Sequence, residues 1–115
     1  MIICDENCES YTVNDPISLV ECTDNDALLE ILKYTEYNKR LTRDLQIMVA
    51  KGILINSNGD VASHDRDIAE MDEGVNFISN ILTDRLSAKA VSDAMLEVDE
   101  MFKQMGRPKS LDEKR

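Results

Sequence analysis

The sequence predicts a mainly α-helical protein in which a long helix, a small β-hairpin and two further helices pack as an antiparallel helical bundle. Three observations predict this fold. Apolar residues recur at steps of three and four in three separate stretches, which is the spacing of one helix face. The chain has 115 residues, of which 43% are hydrophobic, so it has the size of one domain with a modest core. Only 4% of its residues are aromatic, so that core is expected to consist of aliphatic side chains and methionine.

Residues 1–22 are predicted to form an irregular N-terminal segment, ahead of a helical domain over residues 23–106. Residues 11–13 and 17–20 have β-strand character, and a turn-prone Asn-Asp-Pro sequence separates them. This segment is expected either to cover the helices or to remain mobile.

The first long helix is predicted over residues 24–51. Thr23 is the expected N-cap, and Gly52 is expected to end the helix. A helix of this length is stable only if it packs along most of its length. A ladder with alternating steps of four and three is therefore the predicted core seam, and its members are Ala27, Ile31, Tyr34, Asn38, Leu41, Leu45 and Met48.

The start of this helix carries more apolar residues than one partner helix would cover. Self-association through the helix is therefore expected, and a homodimer is the simplest symmetric outcome. Asn38 is a polar residue inside the ladder, where it would either fix the register of paired helices or face water. The predicted oligomer seam is Leu28, Leu29, Leu32 and Asn38.

A β-hairpin is predicted over residues 53–62, because Asn58-Gly59 suits a two-residue turn between β-prone runs. The second long helix is predicted over residues 64–86, with Ser63 as its N-cap. Gly74 lies within this helix at a cost of about 1 kcal/mol relative to Ala, which indicates a close helix crossing.

The third long helix is predicted over residues 88–105 with Ser87 as its N-cap. A glycine and a proline follow it and are expected to end it. Residues 107–115 are expected to form a polar, frayed tail. The short connection between the first and second long helices predicts that these two run antiparallel.

The chain has a net charge of −10. Such a surface repels nucleic acid and anionic lipid, so neither partner is expected. No stretch approaches the roughly 18 apolar residues of a membrane span, and the first residues do not resemble a secretory signal. The expected location is the cytoplasm, where the three cysteines would be free thiols.

Neither catalysis nor a metal site is expected from the sequence, and no cofactor is predicted. Cys4, Cys8, Cys22 and His64 are the candidate soft metal ligands, but they lack the close paired spacings of zinc sites. His64 next to Asp65 is explained as helix-start chemistry. No nucleophile with a matching base is recognisable.

The candidate partner-binding residues are acidic and lie on faces of two helices. They form either ordinary solvated faces or a surface that imitates phosphates and occupies a basic nucleic-acid-binding groove on another protein. The second interpretation predicts salt-sensitive binding. The candidate residues are Asp65, Asp67, Glu70 and Glu73 on the second long helix, and Asp93, Glu97 and Glu100 on the third.

Residues 48–55, followed by a turn and Asp60, resemble the junction between recognition helix and wing in winged-helix DNA-binding domains. Three basic residues lie just upstream, namely Lys39, Arg40 and Arg43. The sequence departs from that pattern because the first helix has no break and Asp60 stands where a base would contact phosphate. The resemblance implies a DNA-binding regulator.

The function expected first is therefore a non-enzymatic, acidic, helical protein-binding module that acts as an adaptor or inhibitor of another protein. Small acidic chains of this kind are common among phage-encoded proteins that bind host machinery, which is an analogy of composition. Two alternatives remain open: a structural or assembly subunit that forms a helical oligomer, and the winged-helix-like DNA-binding regulator.

Overall fold

The structure is a computed structural model that describes residues 1–7, 9–51 and 61–105. Within these ranges the chain is mainly helical and includes a two-stranded antiparallel sheet, which confirms the predicted fold class. In chain order the elements are β1 (Ile2–Cys4), β2 (Ser10–Thr12), α1 (Ile17–Glu21), α2 (Asn25–Ala50), α3 (Val61–Arg85) and α4 (Ala88–Met105).

The N-terminal segment is ordered into a hairpin and a short helix. Ile3 pairs with Tyr11 at the centre of the antiparallel β1–β2 register. The strand character predicted for residues 17–20 is wrong, because they lie in α1. The carboxylate of Asp15 accepts a hydrogen bond from the backbone N–H of Ile17 at 3.1 Å, so the Asn-Asp-Pro turn starts a helix here.

Strand β1 packs against α2 and α3 and is part of the core, whereas β2 is exposed. Ile3 is a buried member of the main hydrophobic cluster. The backbone N–H of Cys4 donates a hydrogen bond to Oγ1 of Thr35 at 2.8 Å. Because Thr35 is fully buried in α2, this bond gives a buried polar side chain a partner and fixes the strand on the helix.

The buried face of α2 is not the predicted ladder. The ladder's seven residues are all half-buried or exposed, and Leu45 is 48% exposed. At 3.6 residues per turn, the ladder lies about 130° around the helix from the buried positions. The prediction that it forms the core seam is therefore wrong. Among the side chains of α2 that the structure describes, the buried ones are Leu28, Leu32, Thr35, Glu36 and Lys39.

Leu28 and Leu32 are fully buried within the single chain. They belong to the core cluster with Ile78 and Leu82 of α3, so they are not available to a seam between chains. That part of the predicted oligomer seam is wrong. Leu29 is partly buried and packs against the same cluster.

Helices α2 and α3 run antiparallel, whereas α2 and α4 run parallel. Lys39 contacts Asp72 of α3, and further along α2 Gln46 contacts Asp65, which lies earlier in α3. Between α2 and α4, later residues of one helix contact later residues of the other: Lys33 contacts Glu97, and Tyr37 lies beside Phe102. The three long helices therefore leave a continuous valley between α2 and α4.

The helix ends differ slightly from the predicted ones. Asp24, not Thr23, caps α2, since its carboxylate accepts a hydrogen bond from the N–H of Ala27 at 3.1 Å. Ser87 caps α4 as predicted and accepts from the N–H of Ala90 at 3.1 Å. The predicted hairpin over residues 53–62 lies outside the described residues except for 61 and 62. Those two belong to α3, so Ser63 is inside that helix and does not cap it.

Gly74 marks a close approach, but its neighbour is a strand and not the helix that the sequence predicted. A Cβ atom added at Gly74 would overlap the carbonyl oxygen of Ile2 and would lie 3.3 Å from Cγ2 of Ile3. The absence of a side chain at this position therefore allows β1 to lie directly on α3.

Replacing Gly74 with Ala is expected to lower the free energy of unfolding by about 1–3 kcal/mol, because the new methyl group overpacks the contact with the β1 backbone. At an open helix position the same change would raise that free energy by about 1 kcal/mol. Urea denaturation followed by circular dichroism measures the difference. Asn80→Ala, on an exposed position of α3, is the control and should have little effect. A stabilised Gly74→Ala variant would contradict the contact.

Candidate protein-binding surface

The valley between α2 and α4 forms an acidic surface groove, which we call the α2–α4 groove. Two adjoining depressions make up the groove, and they share Glu30, Lys33 and Glu97. Five carboxylates and one lysine surround an apolar floor. The lining residues from α2 are Asp26, Leu29, Glu30, Lys33 and Tyr34, and those from α4 are Ala90, Asp93, Ala94, Glu97, Glu100, Met101 and Gln104.

Lys33 crosses the groove and joins its two walls. Its ammonium group lies 3.1 Å from Oε1 of Glu30 on α2 and 3.2 Å from Oε1 of Glu97 on α4. Burial by itself lowers the pKa of Lys33, but the hydrogen bonds to both carboxylates outweigh that effect and raise its pKa above the usual value. The groove walls are thus spaced so that one amine can pair with both.

The floor of the groove is apolar and shallow. Leu29 contributes a partly buried side chain, and Ala90 and Ala94 contribute only methyl groups. Alanines on the α4 side leave space above the floor into which a side chain from another molecule can extend. A long side chain with an aliphatic stem and a charged end fits such a surface well.

The structure divides the predicted partner-binding residues between two places. Asp93, Glu97 and Glu100 line the α2–α4 groove. On α3, Glu70 and Glu73 lie instead beside the N-terminal ammonium group of Met1, at 3.8 and 3.3 Å.

The other two α3 acids are placed differently again. The carboxylate of Asp65 is engaged by Gln46 of α2, and Asp67 is half-buried. The α3 acids therefore do not extend the surface that the α4 acids form.

A second set of charged residues connects the three long helices near the middle of α2, and its pairing was not predicted from the sequence. Glu36 is the centre of this ionic network and is buried. One of its oxygens accepts from Lys39 Nζ at 2.8 Å, and the other from Arg40 Nε at 2.7 Å. Lys39 also contacts Asp72 of α3 at 2.9 Å, and Arg40 contacts Asp99 of α4.

The ionic network is a structural feature and not a free surface. Burial by itself lowers the pKa of Lys39, but its hydrogen bonds to Glu36 and Asp72 outweigh burial and raise that pKa. Lys39 in turn holds the pKa of Asp72 below its usual value. The stabilisation from Asp72 is present above its unfolded-state pKa and is lost as pH falls through the folded-state pKa.

The network also includes two of the three basic residues that lie upstream of the segment resembling a winged helix. Lys39 is buried, and both Lys39 and Arg40 are held by carboxylates of the same chain. Arg40 further lies over the ring of Phe102, with 5.9 Å between its Cζ and the ring centroid. These two cations are therefore occupied inside the fold, which leaves Arg43 as the exposed member of the three.

The turn between β1 and β2 carries a small polar cluster around Tyr11. Its hydroxyl donates to Asp5 at 2.8 Å and to Glu9 at 3.1 Å. These bonds to two carboxylates raise the pKa of Tyr11 to about 12. The pKa of Asp5 is lowered, chiefly by the hydrogen bond from the backbone N–H of Glu9. The cluster fixes the hairpin turn.

Of the candidate metal ligands, Cys4 is buried and Cys22 is half-buried. Cys8 lies outside the described residues, as does the side chain of His64. Among the residues that the structure describes, no three His, Cys, Asp or Glu side chains are grouped so that they could hold a metal ion. In the same part of the chain, no helix combines the length and apolarity needed to cross a bilayer.

Comparisons of this chain with protein-family models, with curated proteins and with solved structures found no match. Its function is therefore inferred from its own geometry. The sequence analysis identified the α4 wall of the groove but missed Asp26, Glu30 and Lys33 on the α2 wall. The spacing of Glu30 and Lys33 was a usable signal, because residues three apart are neighbours on a helix.

Proposed function

We propose that this chain is a non-enzymatic protein-binding module, an adaptor or an inhibitor, whose α2–α4 groove accepts a basic segment of another protein. The observation that carries the proposal is the arrangement of five carboxylates on two helices around an apolar floor, with Lys33 as the single base in the groove. A surface of this kind attracts basic partners over long distances and repels acidic ones.

Lys33 supports a lysine- or arginine-rich partner in particular. Its ammonium group already takes the position that an incoming cation would need, between Glu30 and Glu97. Its side chain is only 16% exposed, so a cation at this depth is well accommodated. A partner cation would displace Lys33 or would pair with carboxylates further along the groove, such as Asp26 or Glu100.

The proposal is tested with a fluorescently labelled amphipathic helical peptide composed of leucine and lysine. Its affinity for the full chain is measured by fluorescence anisotropy at low and at physiological salt. Binding is expected to weaken as salt rises, because screening reduces the attraction between exposed charges. An affinity that does not change with salt would contradict the proposal.

Variants locate the binding surface. A double Glu30→Gln, Glu97→Gln variant is expected to weaken binding about tenfold or more, which corresponds to about 1.4 kcal/mol. Lys33→Gln removes the competing cation and is expected to strengthen binding. A double Glu21→Gln, Asp84→Asn variant, at exposed positions outside the groove, is the control with the same loss of two negative charges. Equal effects of groove and control variants would indicate non-specific attraction and would contradict the proposal.

A second candidate function is a structural or assembly subunit that forms a helical oligomer. One observation favours it: the ladder of α2 is half-buried or exposed in the single chain, and Leu45 near its end is exposed. Light scattering separates the two candidates. A discrete dimer favours the binding module, whereas a ring-sized oligomer favours the assembly subunit.

A further inference from the structure

We propose that two copies of this chain pair antiparallel through the outer face of α2, with the ladder Ala27, Ile31, Tyr34, Asn38, Leu41, Leu45 and Met48 as the contact surface. This inference goes beyond binding at the α2–α4 groove and uses the adjoining face of the helix, which shares Tyr34 with the groove. It also replaces Leu28 and Leu32, which are buried within one chain, as the contact between copies.

The faces of α2 have different neighbours. The buried face meets β1 and α3, as the Thr35 and Lys39 contacts show. A second face meets α4, where the rings of Tyr37 and Phe102 lie 5.1 Å apart between centroids and Arg40 contacts Asp99. The ladder lies largely on the remaining face. Ile31 also packs against the core cluster and Tyr34 also lines the α2–α4 groove, but no ladder residue is fully buried among the described side chains.

The spacing of the ladder identifies a helix as the occupant. Alternating steps of four and three over residues 27–48 give a period of 3.5 residues, which is the period of two helices that pack along each other. A short irregular segment would not require that period over six consecutive steps. The ladder on a second copy supplies a surface with the same period, so the contact can be two-fold symmetric.

Asn38 stands at the middle of the ladder. Its side-chain amide donates to the backbone oxygen of Tyr34 at 3.1 Å, and the residue is half-buried. A single polar residue within an otherwise apolar seam favours one register, because shifted registers place it against apolar side chains. In an antiparallel pair, the two copies of Asn38 lie near the two-fold axis.

Charge determines the orientation. Asp24 and Asp26 are exposed at the start of α2, and Lys51 is exposed just after its end. An antiparallel pair brings the acidic start of one helix to the basic end of the other, whereas a parallel pair places like charges together. The opposed helix dipoles also favour the antiparallel arrangement.

Sedimentation equilibrium of the full chain tests the pairing. The expected result is a dimer that Leu45→Glu weakens at least tenfold in its dissociation constant, because a carboxylate would enter the apolar seam. Leu96→Glu is the matched control: Leu96 is 60% exposed on α4 and outside the ladder, so its variant should dimerise like the parent. Circular dichroism checks that both variants keep their helical content.

Two charge variants test the orientation. Lys51→Glu is expected to weaken the dimer, and addition of Asp26→Lys in the same chain should restore it, since each antiparallel contact then regains one charge of each sign. Absence of this rescue would overturn the antiparallel orientation.

Other results would overturn the pairing itself. A chain that stays monomeric up to high concentration contradicts it, as does a Leu45→Glu variant with unchanged dimerisation. A ring-sized oligomer would overturn the two-fold pair but would support the assembly subunit. A chain that dimerises but does not bind the leucine–lysine peptide would contradict only the proposed binding at the α2–α4 groove. The two proposals therefore fail in distinguishable ways.

Discussion

Replacing Leu32 with Ala is expected to lower the free energy of unfolding by about 2–5 kcal/mol, which is the cost of removing a large side chain from a packed core. Leu32 is fully buried within one chain and belongs to the cluster that joins α2 to α3. Urea denaturation followed by circular dichroism measures this loss. Because the contacts are within the chain, the loss should be independent of protein concentration.

Leu45→Ala is the control for this experiment, because it removes the same atoms from the same helix. Leu45 is about half exposed, so its replacement should cost the isolated chain well under 1 kcal/mol. At concentrations where the chain dimerises, the Leu45→Ala loss should grow, whereas the Leu32→Ala loss should not. The reverse pattern, with Leu45 the costlier residue in the isolated chain, would show that the ladder is the core seam.

The second large effect is expected at Glu36. Glu36→Ala removes the carboxylate that accepts from both Lys39 and Arg40, and leaves two cations close together. Breaking a buried ion pair costs about 3–5 kcal/mol. Arg40 and the outer carboxylates reach solvent, so the lower end of that range, about 3 kcal/mol, is expected in urea denaturation.

Glu30→Ala is the matched control for Glu36→Ala, since Glu30 is a glutamate of the same helix that also contacts a lysine. Its carboxylate is 46% exposed, and pairs of that kind contribute at most about 1 kcal/mol. Similar losses for the two variants would contradict the central position of Glu36 in the ionic network.

The periodicity of α2 predicted a long helix but indicated the wrong buried face. The ladder resembled a buried face because its apolar residues recur at regular steps. The face that is actually buried includes Thr35, Glu36 and Lys39, which a hydrophobic pattern predicts to face solvent. Each of these has a specific partner: Thr35 accepts from Cys4, and Glu36 and Lys39 pair with each other. Such partners lie on other elements or depend on burial, so sequence spacing alone does not show that these residues are buried.

Contacts distant in the chain explain the other differences. Gly74 predicted a close approach, but only the folded chain shows that its neighbour is the Ile2 carbonyl of β1. Residues 17–20 were predicted as a strand from their apolar character, yet only Leu19 is buried in α1. The sequence could not show that Ile17 and Val20, which lie near Leu19 in α1, face solvent.

One wall of the candidate groove could be predicted from the sequence, and the other could not. The acids of α4 repeat at helical spacing, so Asp93, Glu97 and Glu100 were placed together on one face from the sequence. The other wall depends on the parallel packing of α2 and α4, which brings Glu30 and Lys33 to Glu97 over more than sixty positions of sequence. The sequence also placed the α3 acids with them, because charge composition does not distinguish one side of a bundle from another.

The most direct test of the account is a two-dimensional ¹H–¹⁵N NMR titration of the full chain with the leucine–lysine peptide. If the peptide binds in the α2–α4 groove, the largest changes in amide chemical shift are expected at residues 26–34 of α2 and 90–104 of α4. Shift changes concentrated on the acids of α3, or on the ladder residues beyond the groove (Leu41, Leu45 and Met48), would contradict binding in the groove. No change at a peptide concentration that saturates the anisotropy signal would also contradict it.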